Sequence, residues 1–250
     1  MINAKEYDEY FVPALFEPWA RDLIRRAQIW KGDRAVDLAC GTGIVACRIA
    51  GSGATVTGVD SSEENLEQAK IRAAEESVPV TWLQRDFAST SLRAASYDLL
   101  TCQQGLQFAT DRAAVMKEAR RLIASGGRAF FSCWAELSRQ DGLREVEEIA
   151  TKHFGPGDGK TTSMTEVELR GLLSKQFMAV QVETTSRLVK FPEPERFARS
   201  ILTARAADRG GTMNDDAVAE AVAAIAKFVV DDRLELQSAT IIGVGRVSAK

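Results

Sequence analysis

Apolar positions along this chain recur with two periods. Runs of strand character appear at residues 35–39 (AVDLA), 54–60 (ATVTGVD), 80–87 (VTWLQRDF), 97–101 (YDLLT) and 128–134 (RAFFSCW). Between them, at 44–50, 61–77 and 111–127, apolar residues return every three or four positions. This alternation predicts strand–helix units and an α/β fold. Ser61 or Ser62 caps the second helix, and Asp111 caps the third, which Gly126 and Gly127 end. Beyond Trp134 the pattern predicts a helix over 136–154, a flexible loop over 154–160 and a helix over 165–177. A long strand over 177–191, a mostly helical stretch over 195–230 around a hinge-like RGGTMNDD, and a last strand over 234–247 follow. Seven strands result. Residues 1–30 carry two short helical patterns broken by Pro13 and Pro18, with Leu15, Trp19, Leu23 and Ile24 on one face and Pro18 opening the longer helix.

Composition narrows the function more than the fold. With 250 residues, 45% hydrophobic and 27% charged, the chain reads as one α/β domain with insertions. A formal charge of −3 offers no general attraction to phosphate backbones, so nucleic acid is not expected as a partner. Cys40, Cys47, Cys102 and Cys133 show no metal-ligand spacing, so no metal is expected and reduced, buried thiols are. No apolar run reaches the roughly 20 residues a bilayer demands, and the opening residues are too polar for a signal peptide. A cytoplasmic location, no membrane partner and a monomer or homodimer are therefore expected.

The chemistry concentrates where the first strand meets the first helix. Gly41 and Gly43 permit positive φ and close ligand approach beside the amides that open the next helix. Asp60, 19 residues past Gly41 at the end of the second strand, stands where an acceptor for ribose hydroxyls belongs. The spacing Gly41-x-Gly43-x-x-Ala46 equally satisfies the dinucleotide fingerprint, so an NAD(P)-dependent oxidoreductase competes; against it, no Tyr-x-x-x-Lys occurs.

The series Asp37, Cys40–Gly43, Asp60, Asp86–Phe87, the YDLLTCQQGLQF stretch and the LIASGGRAFFSCW turn-and-strand resembles, in combination and order, the class I S-adenosylmethionine-dependent methyltransferases. The likeness runs from about Ala35 to Trp134 and is strongest to the ubiquinone/menaquinone-biosynthesis branch. It implies a Rossmann-like seven-stranded sheet with an antiparallel last strand, forming a single methyltransferase domain over 1–250. An N-terminal helical lid over 1–30 and a helical cap insertion over 193–232 belong to the same expectation. It also implies S-adenosyl-L-methionine as cofactor, with S-adenosyl-L-homocysteine as product. Ala39, Cys40, Gly41, Thr42, Gly43, Asp60, Ser61, Asp86, Phe87 and Gln103 are the residues expected to hold it, Asp86 at the adenine amino group and Gln103 at the methionine end.

For the acceptor, the resemblance implies a small molecule held under the lid. Tyr7, Phe11, Phe16, Trp19, Gln104, Phe108, Trp134 and His153 are the candidate contacts, and Tyr7 is the candidate catalytic group, orienting or deprotonating the acceptor. Core packing is the competing role for each aromatic, and surface or packing for His153, the one histidine. Cys102 ends the fourth strand where pyrimidine C5-methyltransferases carry a nucleophile, but it follows Thr101 rather than a proline and reads as structural. The opening Tyr-x-x-Tyr-Phe-Val-Pro-Ala-Leu-Phe-x-Pro-Trp-Ala is similar to that of a bacterial secondary-metabolism subgroup that includes the N-methyltransferase of the azapteridine toxoflavin, which implies a ring nitrogen of a toxoflavin-type heteroaromatic as acceptor. A quinone or phenol methylated on carbon or oxygen is the alternative acceptor. A regulator that keeps the cofactor site without an acceptor pocket is a third reading.

Overall fold

In a computed structural model, which describes residues 3–157 and 163–249, the alternating periods become a mixed sheet. Five strands are parallel: β1 (Arg34–Leu38), β2 (Thr55–Asp60), β3 (Val80–Gln84), β4 (Tyr97–Gln103) and β5 (Ile123–Trp134). β6 (Met178–Phe191), the two-residue β7 (Val229–Val230) and β8 (Arg233–Arg246) add antiparallel pairings. The order is β3-β2-β1-β4-β5-β8-β6, with β7 hairpinned onto β8. Eight strands thus replace the expected seven, while the last strand is antiparallel as expected. β7 lies inside the stretch read as helical; its two valines are strand only because β8 pairs with them.

Neighbouring residues in one strand serve opposite faces, as the period of two requires. Leu100 packs with Val36, Leu38 and Phe131 on the side of α5 (Arg112–Leu122) and α7 (Glu166–Ser174). Leu99 packs with Ala35, Val56 and Phe130 on the side of α2 (Glu17–Ala27) and α3 (Ile44–Gly51). α4 (Glu63–Glu75) follows β2, capped by Ser62, whose hydroxyl accepts from Asn65 N. A further core joins α6 (Leu143–Phe154), α8 (Pro194–Asp208) and α9 (Asp215–Ile225) to Phe191, Leu234 and Leu236 at the far ends of β6 and β8.

Three boundaries move for identifiable reasons. The third predicted helix stops at Leu122, because Ile123 pairs with Tyr97 and starts β5 five residues early, with a register shift before Arg128. The helix predicted from 136 begins at Leu143: Gly142 has φ +70, and an added Cβ would lie 2.6 Å from Leu236. Of the predicted 154–160 loop, Asp158, Gly159 and Lys160 lie outside the described residues.

Pro13 does not break the N-terminal segment. α1 (Ala4–Glu6) runs into a ten-residue π-helical stretch, Tyr7–Phe16, which holds Pro13 and continues into α2, where Pro18 sits in the first turn. An i→i+5 winding turns each residue by roughly 80°, against about 100° in an α-helix. Nine residues therefore make about two full turns in the first and two and a half in the second. Only the wider winding puts Tyr7 and Phe16 on one side, where their ring centroids are 4.7 Å apart.

Candidate functional site

β1 and β4 are neighbours in the sheet, and the chain leaves them in opposite directions, to β2 and to β5; a crevice opens at their carboxyl ends. Ala39 (φ +52) and Gln104 (φ +53) flank it in the left-handed region, which L side chains occupy only when their surroundings hold them there. Gly41 has φ +54 with nothing within 4 Å of an added Cβ, so its backbone faces open space. Gly43 (φ +84) is needed for packing instead, since a Cβ there would lie 2.6 Å from the Trp82 ring and 2.9 Å from Ala69. Asp60 ties the turn to α4: its Oδ2 accepts from Gly41 N at 2.8 Å and its Oδ1 from Ser62 N at 2.9 Å.

The crevice holds a small cleft, partly open to solvent, lined by Ala39, Cys40, Gly41, Thr42, Asp37 and Gln103 and roofed by Tyr7 and Phe16. Three polar atoms of its lining are buried without a partner: Asp37 Oδ2, Thr42 Oγ1 and Gln103 Oε1. A buried polar group left unpaired costs about 1–3 kcal/mol, so three around one cavity mark a place shaped for a polar ligand. Burial pushes the Asp37 carboxyl up to about 7, although the Thr101 hydroxyl donates to its Oδ1 at 2.7 Å; the charge on Asp60 raises it further. Two carboxylate or amide oxygens and one hydroxyl suit the ammonium and carboxylate of an amino-acid moiety.

A second cavity, about 820 Å³ and open to solvent, shares Tyr7 and Phe16 with the first. Phe11, Trp134, Phe191 and Phe197 give it aromatic walls, and Asp141, Arg205 and Gln237 supply polar edges. Phe16 meets Trp134 edge-on at 5.7 Å. Burial, with Asp60 and Asp8 nearby, pushes the Tyr7 phenol well above its usual range, so its hydroxyl is a neutral hydrogen-bonding group.

Of the cofactor candidates, Ala39, Cys40, Gly41, Thr42 and Gln103 line the first cavity, and Asp60 and Gly43 build its turn. Gln103 also donates from Nε2 to Phe16 O at 3.0 Å, tying the roof to β4. Ser61, exposed, accepts at its carbonyl from Gln84 Nε2. Asp86 is exposed past β3, caps the local turn by accepting from Ala88 N at 2.8 Å, and precedes a half-buried Phe87. Among the acceptor candidates, Tyr7, Phe11, Phe16 and Trp134 come together in the second cavity.

The other four lie outside both cavity linings. Trp19 is buried beneath the Arg187 guanidinium, 4.5 Å from its ring centroid. Gln104 is buried and donates to Thr240 Oγ1 at 2.8 Å. Phe108 is 63% exposed. His153 Nε2 is bonded to Glu220 Oε2 at 2.8 Å, between α6 and α9. Burial pushes the Cys40 and Cys102 thiols well above their usual range, in keeping with structural roles. Among the described residues no group of His, Cys, Asp or Glu is arranged to hold a metal ion, and no helix is long and apolar enough to cross a membrane.

Asp37, Asp141, Phe191 and Phe197 were not among the sequence candidates. Asp37 had a signal, a lone acid inside an apolar strand; the others lie beyond Trp134, where no motif pointed to a site.

Residues 36–131 match the family described as a methyltransferase domain. A ubiquinone biosynthesis O-methyltransferase of Vibrio parahaemolyticus is 38% identical over 113 residues, 44% of this chain and 47% of that protein. The match thus spans about half the relative's length. Among solved structures, the YcgJ protein of Bacillus subtilis superposes with a TM-score of 0.64 at 16% identity, over 92% of this chain and 98% of that one. The Haemonchus contortus phosphoethanolamine N-methyltransferase 2, in complex with phosphomonomethylethanolamine and S-adenosylhomocysteine, gives 0.58 at 18%, over 93% and 53%. The two structures support the fold, and the matched domain carries the glycine turn, Asp37 and Asp60. Residues 36–131 therefore resemble a methyltransferase domain, in a chain that has the fold of these solved structures.

Proposed function

We propose that this protein transfers a methyl group from S-adenosyl-L-methionine to a small, flat aromatic acceptor, and that the atom methylated is a ring nitrogen of a heteroaromatic of the azapteridine type. The observation that carries this reading is the pair of cavities meeting at Tyr7 and Phe16, one edged by unsatisfied polar atoms and the other walled by aromatic rings.

The residues of the first cavity fit the cofactor. Asp37 Oδ2 and Gln103 Oε1 would accept from its ammonium group and Thr42 would bind its carboxylate. Asp60 would take the ribose hydroxyls, and Asp86 and Phe87 the adenine. When bound, the cofactor supplies a methyl group already activated on a sulfonium. The protein's task is then to hold the acceptor and keep water out. In this reading residues 1–30 are a lid and residues 193–232 a cap over one methyltransferase domain. Phe11 and Phe16 from the lid and Phe197 from the cap stack on the acceptor and desolvate it.

A phenol must lose its proton to become a good nucleophile, whereas an sp² ring nitrogen attacks through a lone pair. The titratable side chains lining the second cavity are Tyr7, Asp141 and Arg205. Tyr7 is held neutral, and Arg205 Nε donates to Glu147 Oε2 at 2.7 Å. A ring nitrogen needs no base for that attack, and Asp141 is the one carboxylate that lines this cavity. The name of the Vibrio relative favours a phenolic oxygen instead, but the matched domain ends at residue 131, before Trp134, Phe191 and Phe197.

Methyl-labelled cofactor offered with a pteridine or azapteridine, and separately with a catechol-type quinol, tests the reading. Labelled N-methyl product from the heterocycle is expected. Transfer to the quinol alone overturns the choice of nitrogen, and no transfer to either overturns the proposed reaction.

A further inference from the structure

The second cavity carries one carboxylate that no side chain among the described residues bonds. Arg205 bonds Glu147 and lies 3.6 Å from Asp208. Gln140 is engaged at both ends of its amide, with Nε2 donating to Ala239 O at 2.6 Å and Oε1 accepting from Ser238 Oγ at 3.1 Å. The Asp141 carboxylate, by contrast, has no hydrogen bond or salt bridge among the described residues. Arg144 lies close enough to feel its charge, but donates its hydrogen bond to Glu145 at 2.8 Å.

Asp141 is nevertheless held in place. Its amide donates to Gln237 O at 3.0 Å and its carbonyl accepts from Leu143 N at 2.7 Å. The preceding Gln140 clamps the segment to β8, and the following Gly142 makes a turn that only glycine fits against Leu236. A carboxylate carried on a fixed backbone at the wall of a largely aromatic cavity, with no side chain bonded to it, is an arrangement that reads a donor on a ligand edge.

We propose that Asp141 is the specificity-determining residue of the acceptor cavity, and that the acceptor presents an N–H or amino group to it. This rests on the acceptor reading given above and narrows it. Flat heterocycles with ring N–H or exocyclic amino donors are taken; quinones and fully N-alkylated heterocycles of the same outline are disfavoured, because they leave the carboxylate desolvated and unpaired.

Lumazine and 1,3-dimethyllumazine, which share a ring system and differ in ring N–H donors, are suitable probes. Each is titrated into the full chain saturated with S-adenosylhomocysteine, for the natural protein and for Asp141→Ala and Asp141→Asn. The natural protein is expected to bind lumazine at least tenfold more tightly. Asp141→Ala reduces that preference to twofold or less and leaves S-adenosylhomocysteine affinity unchanged, which reports an intact fold. Asp141→Asn, which keeps an acceptor oxygen, retains part of the preference. A preference that survives in Asp141→Ala, or none in the natural protein, binding of neither heterocycle included, overturns the proposal. Failure of the natural protein to bind S-adenosylhomocysteine at all overturns the cofactor reading beneath it, and the proposal with it.

Discussion

Asp37 shows how a single side chain can serve the site against its own stability. Its carboxyl is buried, pushed up to about 7, and left with one unpaired oxygen. Because its folded pKa lies above the ordinary carboxylate value, the stability tied to its proton is complete below about pH 4 and is lost as pH rises through about 7. An ammonium group reverses that preference by favouring the charged form. Affinity for S-adenosylhomocysteine should therefore weaken as pH falls below 7, approaching tenfold per unit. Asp37→Asn should flatten this slope, bind about ten- to a hundredfold more weakly at pH 8, and melt higher than the natural protein at that pH without ligand; calorimetry and thermal melts read each.

Tyr7 makes the complementary case: with its phenol raised by burial, it works neutral. Tyr7→Phe should lower turnover less than about tenfold without removing a limb of the pH–rate profile, while Tyr7→Ala, which opens the shared wall, should lower it by about a hundredfold. The type of residue was legible at Tyr7 and Gln103. Trp19, Gln104, Phe108 and His153 do not line either cavity, since a residue's type does not say which face of its element it lands on.

At the scale of elements, the glycine turn and the π-helical segment form the site together. Gly41 and Gly43 look alike in the sequence but differ in surroundings. Gly41→Ala should cost about 1–2 kcal/mol of stability, from positive φ alone, whereas Gly43→Ala adds the clash with Trp82 and Ala69 and should cost about 2–4 kcal/mol. Denaturant unfolding of the two variants separates strain from overpacking.

Arg72 on α4 links the two elements: its Nη2 donates to Asp8 Oδ1 at 2.6 Å and its Nε to Thr42 O at 3.1 Å. Asp8→Ala should free the roof and speed S-adenosylhomocysteine release several-fold in stopped-flow displacement, with little change in melting temperature. The strand–turn–helix at β1 and α3 was legible because local period, glycines and tertiary role agree there. The π winding, the early start of β5 and the two-residue β7 were not, because each is set by partners: Phe16 against Trp134, Ile123 against Tyr97, and Val229 against Leu234.

For the molecule as a whole, the two halves of the site differ in how the chain builds them. The first cavity, proposed for the cofactor, comes from the ends of β1, β2 and β4, within some 70 residues, and its motifs stand in order in the sequence. The second, proposed for the acceptor, gathers Phe11, Trp134, Asp141, Phe191 and Phe197 from five separate segments, which no spacing relates. That is why the fold and the glycine-turn crevice were legible in the residues and the second cavity was not. The central claim is that the crevice between β1 and β4 takes an adenosyl amino acid. Equilibrium titration of the full chain with S-adenosylhomocysteine and, in parallel, with NAD⁺ tests it most directly. One-to-one, micromolar binding of S-adenosylhomocysteine, reduced by Asp37→Asn and Asp60→Ala, is expected, with no binding of NAD⁺. Saturable binding of NAD⁺ with none of S-adenosylhomocysteine would contradict it.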